Sequence, residues 1–138
     1  MTTIRVFIVE ASVLMHRLLR LGLREEARID VVGIAVDGPS ALAQIARTRP
    51  DVVLLALELP GTRGADIVRA LRESGFMAPI LMLAATTSEP DSAMLDALAA
   101  GASGYVSRPS TGLEAEHSVA EIARTLLPKI KTVLAERK

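Results

Sequence analysis

Few side chains in this sequence stand where they could do chemistry. Glu10 and Ser12 follow the apolar run IRVFIV, and Glu58 follows DVVLLAL. Thr86, Thr87 and Ser88 come after PILMLAA, and Ser107 and Arg108 after GYV. A hydroxyl becomes a nucleophile only when a general base activates it. The two histidines, His16 and His117, fall in separate helical segments, and neither is placed as that base. The hydroxyls before the first and fourth helices therefore read as helix caps. Glu58 reads as an exposed rim carboxylate. Cysteine is absent, which removes disulfides, thiolate metal sites and thiol nucleophiles. GTRG, residues 61–64, lacks the Lys-Ser/Thr ending of a phosphate loop and reads as a turn. The remaining question sits in DVVLLALELPG, residues 51–61. It has the form of a buried strand entering an exposed Pro-Gly loop, yet the strand closes on Ala56, whose methyl group has no chemistry to offer.

The elements that must position these residues are legible from periodicity. Five apolar runs rich in β-branched residues predict strands at 4–9, 29–36, 51–57, 79–84 and 104–107. Helical patterns lie between them. Residues 13–28 place Val13, Leu14, Leu18, Leu21 and Ala27 near one side, with Arg17, Arg20, Arg24 and Arg28 on another. That basic stripe reads as a solvated helix face, with a docking face as the alternative. Pro39 and Ser40 open a second helix, 64–74 forms a third, Pro90 opens a fourth ending at Gly101, and a fifth begins near Gly112. Alternating strands and helices, with nearly continuous hydrophobic strands, predict an α/β fold with a parallel sheet covered on both faces. Function in such folds gathers at the carboxyl ends of the strands. At 138 residues the chain is one domain by length. Sixteen acidic and sixteen basic residues balance, so no overall field draws it to nucleic acid or an anionic membrane. No signal-peptide plan and no apolar run of membrane-spanning length is present, and a cytoplasmic location is expected.

In this order and spacing, the segments resemble the receiver domains of bacterial two-component response regulators. IRVFIVEASVLMHRLLRLGL is similar to the family's first strand, acidic loop and first helix. DVVLLALELPGTRGADIVRAL is similar to its third strand, Pro-Gly loop and third helix, and GASGYVSRP to its fifth strand with a switch aromatic and a cation before proline. Glu58 in LELPG, the segment ASVLMHRLL and the terminal LLPKIKTVL resemble the receivers of chemotaxis protein-glutamate methylesterases in particular. The resemblance implies a flavodoxin-like, doubly wound, five-stranded parallel sheet of order 2-1-3-4-5. It also implies a phosphoacceptor Asp ending the third strand and two acidic residues holding Mg²⁺ after the first. A Ser or Thr would end the fourth strand, and a Lys would lie near the end of the fifth.

The sequence departs from that set at nearly every position. Ala56 stands at the phosphoacceptor position and Ala84 at the switch hydroxyl. The acidic pair is reduced to Glu10 followed by Ala11, and Arg108 replaces the lysine. Phosphoryl transfer gathers negative charge that a metal ion and a cation must neutralise, so these losses remove the chemistry together. Such coordinated loss reads as a natural pseudo-receiver, since one engineered substitution would explain Ala56 alone. Tyr105, as the switch aromatic, and Pro109 keep the pattern, and Arg108–Pro109 is a candidate cis peptide bond. No cofactor is expected. Glu10 is a weak Mg²⁺ candidate with the Leu57 carbonyl, and the favoured alternative pairs it with Arg108 across the cleft.

The last helix carries Ile122, Ala123, Leu126, Ile130, Val133 and Leu134 at helical spacing. Pro128 predicts a kink, dividing a receiver-like domain, 1–127, from an extension of the last helix, 128–138. Beyond it Ile130, Val133 and Leu134 would cover either the domain's own core or another chain. In the resembling methylesterases this segment leads into a catalytic domain, which these 138 residues do not contain. The expectation is a non-enzymatic, phosphorylation-independent receiver that works by protein–protein binding. Its expected partner is a histidine kinase, a chemotaxis component or another two-component protein. Two alternatives stay open: a phosphorelay receiver with an unusual acceptor or metal response, and a homodimeric scaffold built on the C-terminal helix.

Overall fold

The computed structural model describes residues 3–84, 91–107 and 115–136, with side chains in the last segment from residue 118 onward. Seven strands alternate with five helices among these residues: β1 (Ile4–Val9), α1 (Val13–Leu23), β2 (Ile29–Ala35), α2 (Gly38–Thr48), β3 (Val52–Ala56), β4 (Glu58–Leu59), β5 (Thr62–Arg63), α3 (Gly64–Glu73), β6 (Ile80–Ala84), α4 (Ser92–Ala100), β7 (Gly104–Ser107) and α5 (Ala115–Glu136). Five strands form a parallel sheet in the order β2-β1-β3-β6-β7, and β4 and β5 form a separate two-residue hairpin. Without the hairpin, this is the expected order 2-1-3-4-5.

The pleat explains why the strands read as unbroken apolar runs. Successive side chains point to opposite faces, and here both faces are buried. On β1, Val6 and Ile8 join Met15, Leu19, Ile122 and Leu126 beneath α1 and α5, while Phe7 and Val9 join Ile45, Ile67 and Leu71 beneath α2 and α3. The same alternation runs through β3 and β6, which are fully buried.

Helix α1 departs from the expected 13–28. It stops at Leu23, and its buried face is Met15, Leu18, Leu19, Gly22 and Leu23, leaving Val13, Leu14 and Leu21 exposed. Gly22 sets that phase, because a Cβ there would lie 2.4 Å from Cγ2 of Ile122, so only glycine lets α5 come this close. The chain then turns through Glu25 and Glu26, whose amides donate to the Gly22 and Leu23 carbonyls. Arg28 therefore leaves the basic stripe, and its guanidinium pairs with Glu26 instead. The caps of the second and fourth helices are also acidic residues: Asp37 accepts the Ser40 amide, and Asp91 that of Met94. Pro90 lies outside the described residues.

Helix α5 runs from Ala115 to Glu136 and continues through Pro128. Pro128 and Arg124, whose carbonyl loses its helical donor, are both exposed, so water can satisfy that carbonyl. Past the proline, Ile130 and Val133 are buried beside Leu18, Leu23 and Val52, with Leu134 partly buried against the same cluster. Of the two covers open to this stripe, the structure gives the domain's own core. An ion pair ties the same turn down: Lys131 Nζ lies 2.8 Å from Glu26 Oε2. Lys131, then the Arg28 amide and side chain, hold the Glu26 carboxyl down at about 2.

Two outcomes follow from this packing. Ile130→Ala should cost about 2–5 kcal/mol in urea unfolding, as deletion of a fully buried aliphatic does. Because the folded state depresses the Glu26 pKa, its contribution is complete above the unfolded carboxylate value and fades as pH falls toward 2. Unfolding midpoints measured against pH should therefore fall more steeply in this acid range for the wild type than for Glu26→Gln.

Candidate functional site

The carboxyl ends of β1, β3, β6 and β7 meet along one edge of the sheet, where the sequence placed its candidate residues. Glu10 sits at the end of β1, only 2% exposed. One of its carboxylate oxygens accepts the Ser12 amide at 2.9 Å, and its own carbonyl contacts Nε2 of His16. Ser12 in turn accepts the Met15 amide at 3.2 Å and caps α1, as its sequence position suggested. That bond ties the carboxylate to its own loop.

Ala56 closes β3 at 4% exposure, and Ala84 closes β6, also buried. Ala56 pairs with Leu83, and Ala84 with Ser107 at the end of β7. Gly64, the first residue of α3, presses on Ala56 from the loop side. Its amide donates to the Leu57 carbonyl at 2.7 Å, and a Cβ there would lie 2.8 Å from the Ala56 carbonyl oxygen and 2.9 Å from that of Leu57. Sequence reading took GTRG as a turn; that its last glycine is a point of closest approach shows only once α3 is seated on β3. Glu58 is exposed on the hairpin, paired in register with Arg63, whose guanidinium bridges Asp66 at 3.7 Å and Asp96 at 3.8 Å. Tyr105, on β7, is 38% exposed. Arg108, Pro109, Thr86, Thr87 and Ser88 lie outside the described residues, as do the side chain of His117, the Glu10–Arg108 pairing and the candidate cis bond.

One structural residue that sequence reading missed is Arg72. It donates to the carbonyls of Phe76, Ala78 and Gly101, tying α3 to the loop that leads into β6 and to the turn that leads into β7. Burial lowers its pKa below the ordinary arginine value. Nothing in its local sequence separates it from other helical arginines, since its acceptors come from two separate loops.

The matched family is described as the response regulator receiver domain, and its sequence profile fits residues 6–120. The chain belongs to the response regulator receiver family. Over 137 residues the receiver is 39% identical to a protein-glutamate methylesterase/protein-glutamine glutaminase from Nocardioides sp., covering 99% of the chain and 37% of that protein. A protein of the same description from Trichodesmium erythraeum is 35% identical over 138 residues, all of this chain and 39% of the relative. The chain thus spans less than half the length of these relatives. The solved response regulator domain of Thermotoga maritima CheB superposes with a TM-score of 0.83 at 25% identity, covering 96% of this chain and 97% of that one. A receiver domain of the NarL regulator from Mycobacterium tuberculosis gives 0.72 at 29% identity, covering 90% and 98%. The flavodoxin-like fold and a CheB-like receiver of two-component signalling are therefore established.

Receivers of this family imply a Mg²⁺ ion at the strand edge. Mg²⁺ requires octahedral oxygen ligation, commonly through one or two carboxylates with waters. Ala11 and Ala56 supply methyl groups where carboxylates are needed, the Glu10 carboxylate holds the Ser12 amide, and the Leu57 carbonyl already accepts Gly64. Among the described residues no group of three acidic or histidine side chains could hold a metal ion. The described residues at this edge do not fit the ion.

Gly64→Ala should destabilise the receiver by about 1–3 kcal/mol, because the new methyl meets backbone that cannot step aside. Thermal unfolding beside an Ala65→Gly control would separate this clash from helix propensity.

Proposed function

We propose that this receiver signals without taking up a phosphoryl group, by binding a partner protein in a two-component or chemotaxis pathway. The observation that carries the reading is the buried Ala56 at the end of β3, where the family places its phosphoacceptor. Ala84 and Ala11 support it, because an acceptor alone would lack the hydroxyl and the carboxylate that manage the charge of transfer. With no chemistry at the edge, the domain is not an enzyme, and its output is a surface. The face of α4, β7 and α5, which carries Tyr105 and the exposed Leu95, is the first candidate for contact with a histidine kinase or chemotaxis component. A domain relieved of its trigger holds one state or is shifted by a partner that binds its two states unequally. No helix among the described residues is long and apolar enough to cross a membrane.

A backbone amide NMR titration with Mg²⁺, then with Mg²⁺ and beryllofluoride, tests the reading directly. Unchanged resonances at Glu10, Ala56 and Ala84 are expected; localised shifts that spread to Tyr105 would sink it. Conversely, Ala11→Asp combined with Ala56→Asp should return a Mg²⁺-dependent shift at Glu10, since the pair restores the missing oxygen ligands.

A further inference from the structure

Helix α5 has two unlike halves. Before Pro128, Ile122 and Leu126 are buried, and Ile122 sits on Gly22 of α1. After it, Ile130 and Val133 join the buried cluster of Leu18, Leu23 and Val52, with Ile4 and Ile29 partly buried against it. Ile4, Ile29 and Val52 open β1, β2 and β3, so this second half covers the amino-terminal end of the sheet, away from the candidate site. Three features weaken the helix where the halves join. Pro128 has no amide to give the Arg124 carbonyl. The Thr125 hydroxyl donates to the Glu121 carbonyl at 2.8 Å, and the Thr132 hydroxyl to the Pro128 carbonyl at 2.9 Å, a back-bonding that bends helices. Thr125, Pro128 and Thr132 are all exposed, which puts the convex side toward solvent and wraps the second half around the core. Beyond the bend the attachment is sparing. It consists of those apolar contacts and the pair of Lys131 with Glu26, the only ion pair that α5 makes among the described residues. The choice of cation there is unusual for this chain. Thirteen of its sixteen cationic residues are arginine, and all three lysines, Lys129, Lys131 and Lys138, follow Pro128. A lysine holds its partner through a flexible stem, without the fixed fork of arginine.

We infer that residues 129–136 form a strap, hinged at Pro128 and latched by Lys131 on Glu26, which opens as one unit while the rest of the receiver stays folded. Opening uncovers the apolar surface of Leu18, Leu23 and Val52 at the amino-terminal end of the sheet. The first half of α5 stays in place, because Ile122 on Gly22 anchors it on the other side of the hinge. Once lifted, so short a segment cannot remain helical alone, and its amides become exchangeable. The strap lies at the end of the sheet away from Ala56, so the inference holds whether or not that edge takes up phosphate.

Native-state hydrogen exchange on the full chain tests the strap. The amides of residues 130–134 should share one opening equilibrium, at least about tenfold more frequent than that of residues 119–126. Lys131→Gln should raise that opening about two- to fivefold, the range of a partly exposed ion pair, and Lys131→Arg should raise it less. Neither variant should move residues 119–126. With Glu26→Gln already in place, Lys131→Gln should add nothing. Pro128→Ala should slow the opening at least about threefold, because the restored bond carries the helix across the hinge. The chain has no cysteine, so a Leu23→Cys variant supplies a second reading. Its thiol should be labelled in proportion to strap opening, and faster again with Lys131→Gln. A Leu54→Cys control, in the buried centre of β3, should react only on global unfolding. Protection that declines smoothly toward Glu136, as in end fraying, would overturn the inference. So would exchange of residues 130–134 only together with the rest of α5, indifference to Lys131→Gln, or equal labelling of the two thiols.

Discussion

Three central strands, β1, β3 and β6, are buried on both faces, and the rest of the molecule is arranged to keep them so. Five consecutive buried residues on β3 and five on β6 cannot be covered by one layer of helices. Two layers are therefore obligatory, and parallel strands with helical crossovers supply them. The aliphatic composition fits this plan. With only two phenylalanines, one tyrosine and no tryptophan, the layers are filled by branched side chains that pack closely over a pleated sheet. The same arrangement brings four strand ends to one edge, which is why a family of this fold concentrates its chemistry there.

On one face the seal depends on the contact of α1 with α5. Gly22 lets Ile122 sit directly on the helix backbone, and this fixes how α1 is rotated. The rotation has two consequences on opposite sides. Inward, Met15, Leu18 and Leu19 close the core; outward, Val13, Leu14 and Leu21 are left facing solvent between arginines. Beyond Pro128, α5 continues the seal through Ile130 and Val133 and is pinned by Lys131 on Glu26. The pinning charge pair is near the surface, where it serves position more than stability.

At the strand edge, the residues present do structural work with the groups that remain. The Glu10 carboxylate and the Ser12 hydroxyl satisfy successive amides at the entry to α1. Alanines at 56 and 84 fit beneath the backbone of Gly64 and within the apolar cluster under α3 and α4. A carboxylate in this buried setting needs compensating charge, which small apolar residues do not.

Much of this was legible in the order of residues, for reasons that are local. Period-two runs with both faces apolar mark buried parallel strands, so the five strands, their alternation with helices and the fold class were all present in the pattern. The side chains at the strand ends, Glu10, Ala11, Ala56 and Ala84, were equally plain, because a missing carboxylate or hydroxyl is a fact of sequence. Rotation and partnership were not. Val13, Leu14 and Leu21 read as one side of the helix with Leu18, yet Leu18 is buried and the other three are exposed, because a helix with apolar residues on several sides is turned by whatever packs against it, here Ile122 on Gly22. The bridging of Arg72 to Gly101 and of Lys131 to Glu26 joins residues distant in the chain. The sequence by itself determined which groups are available to this protein. Tertiary structure alone decided which of them meet and which are left outside, because close packing selects one rotation for each helix and no local signal encodes that choice.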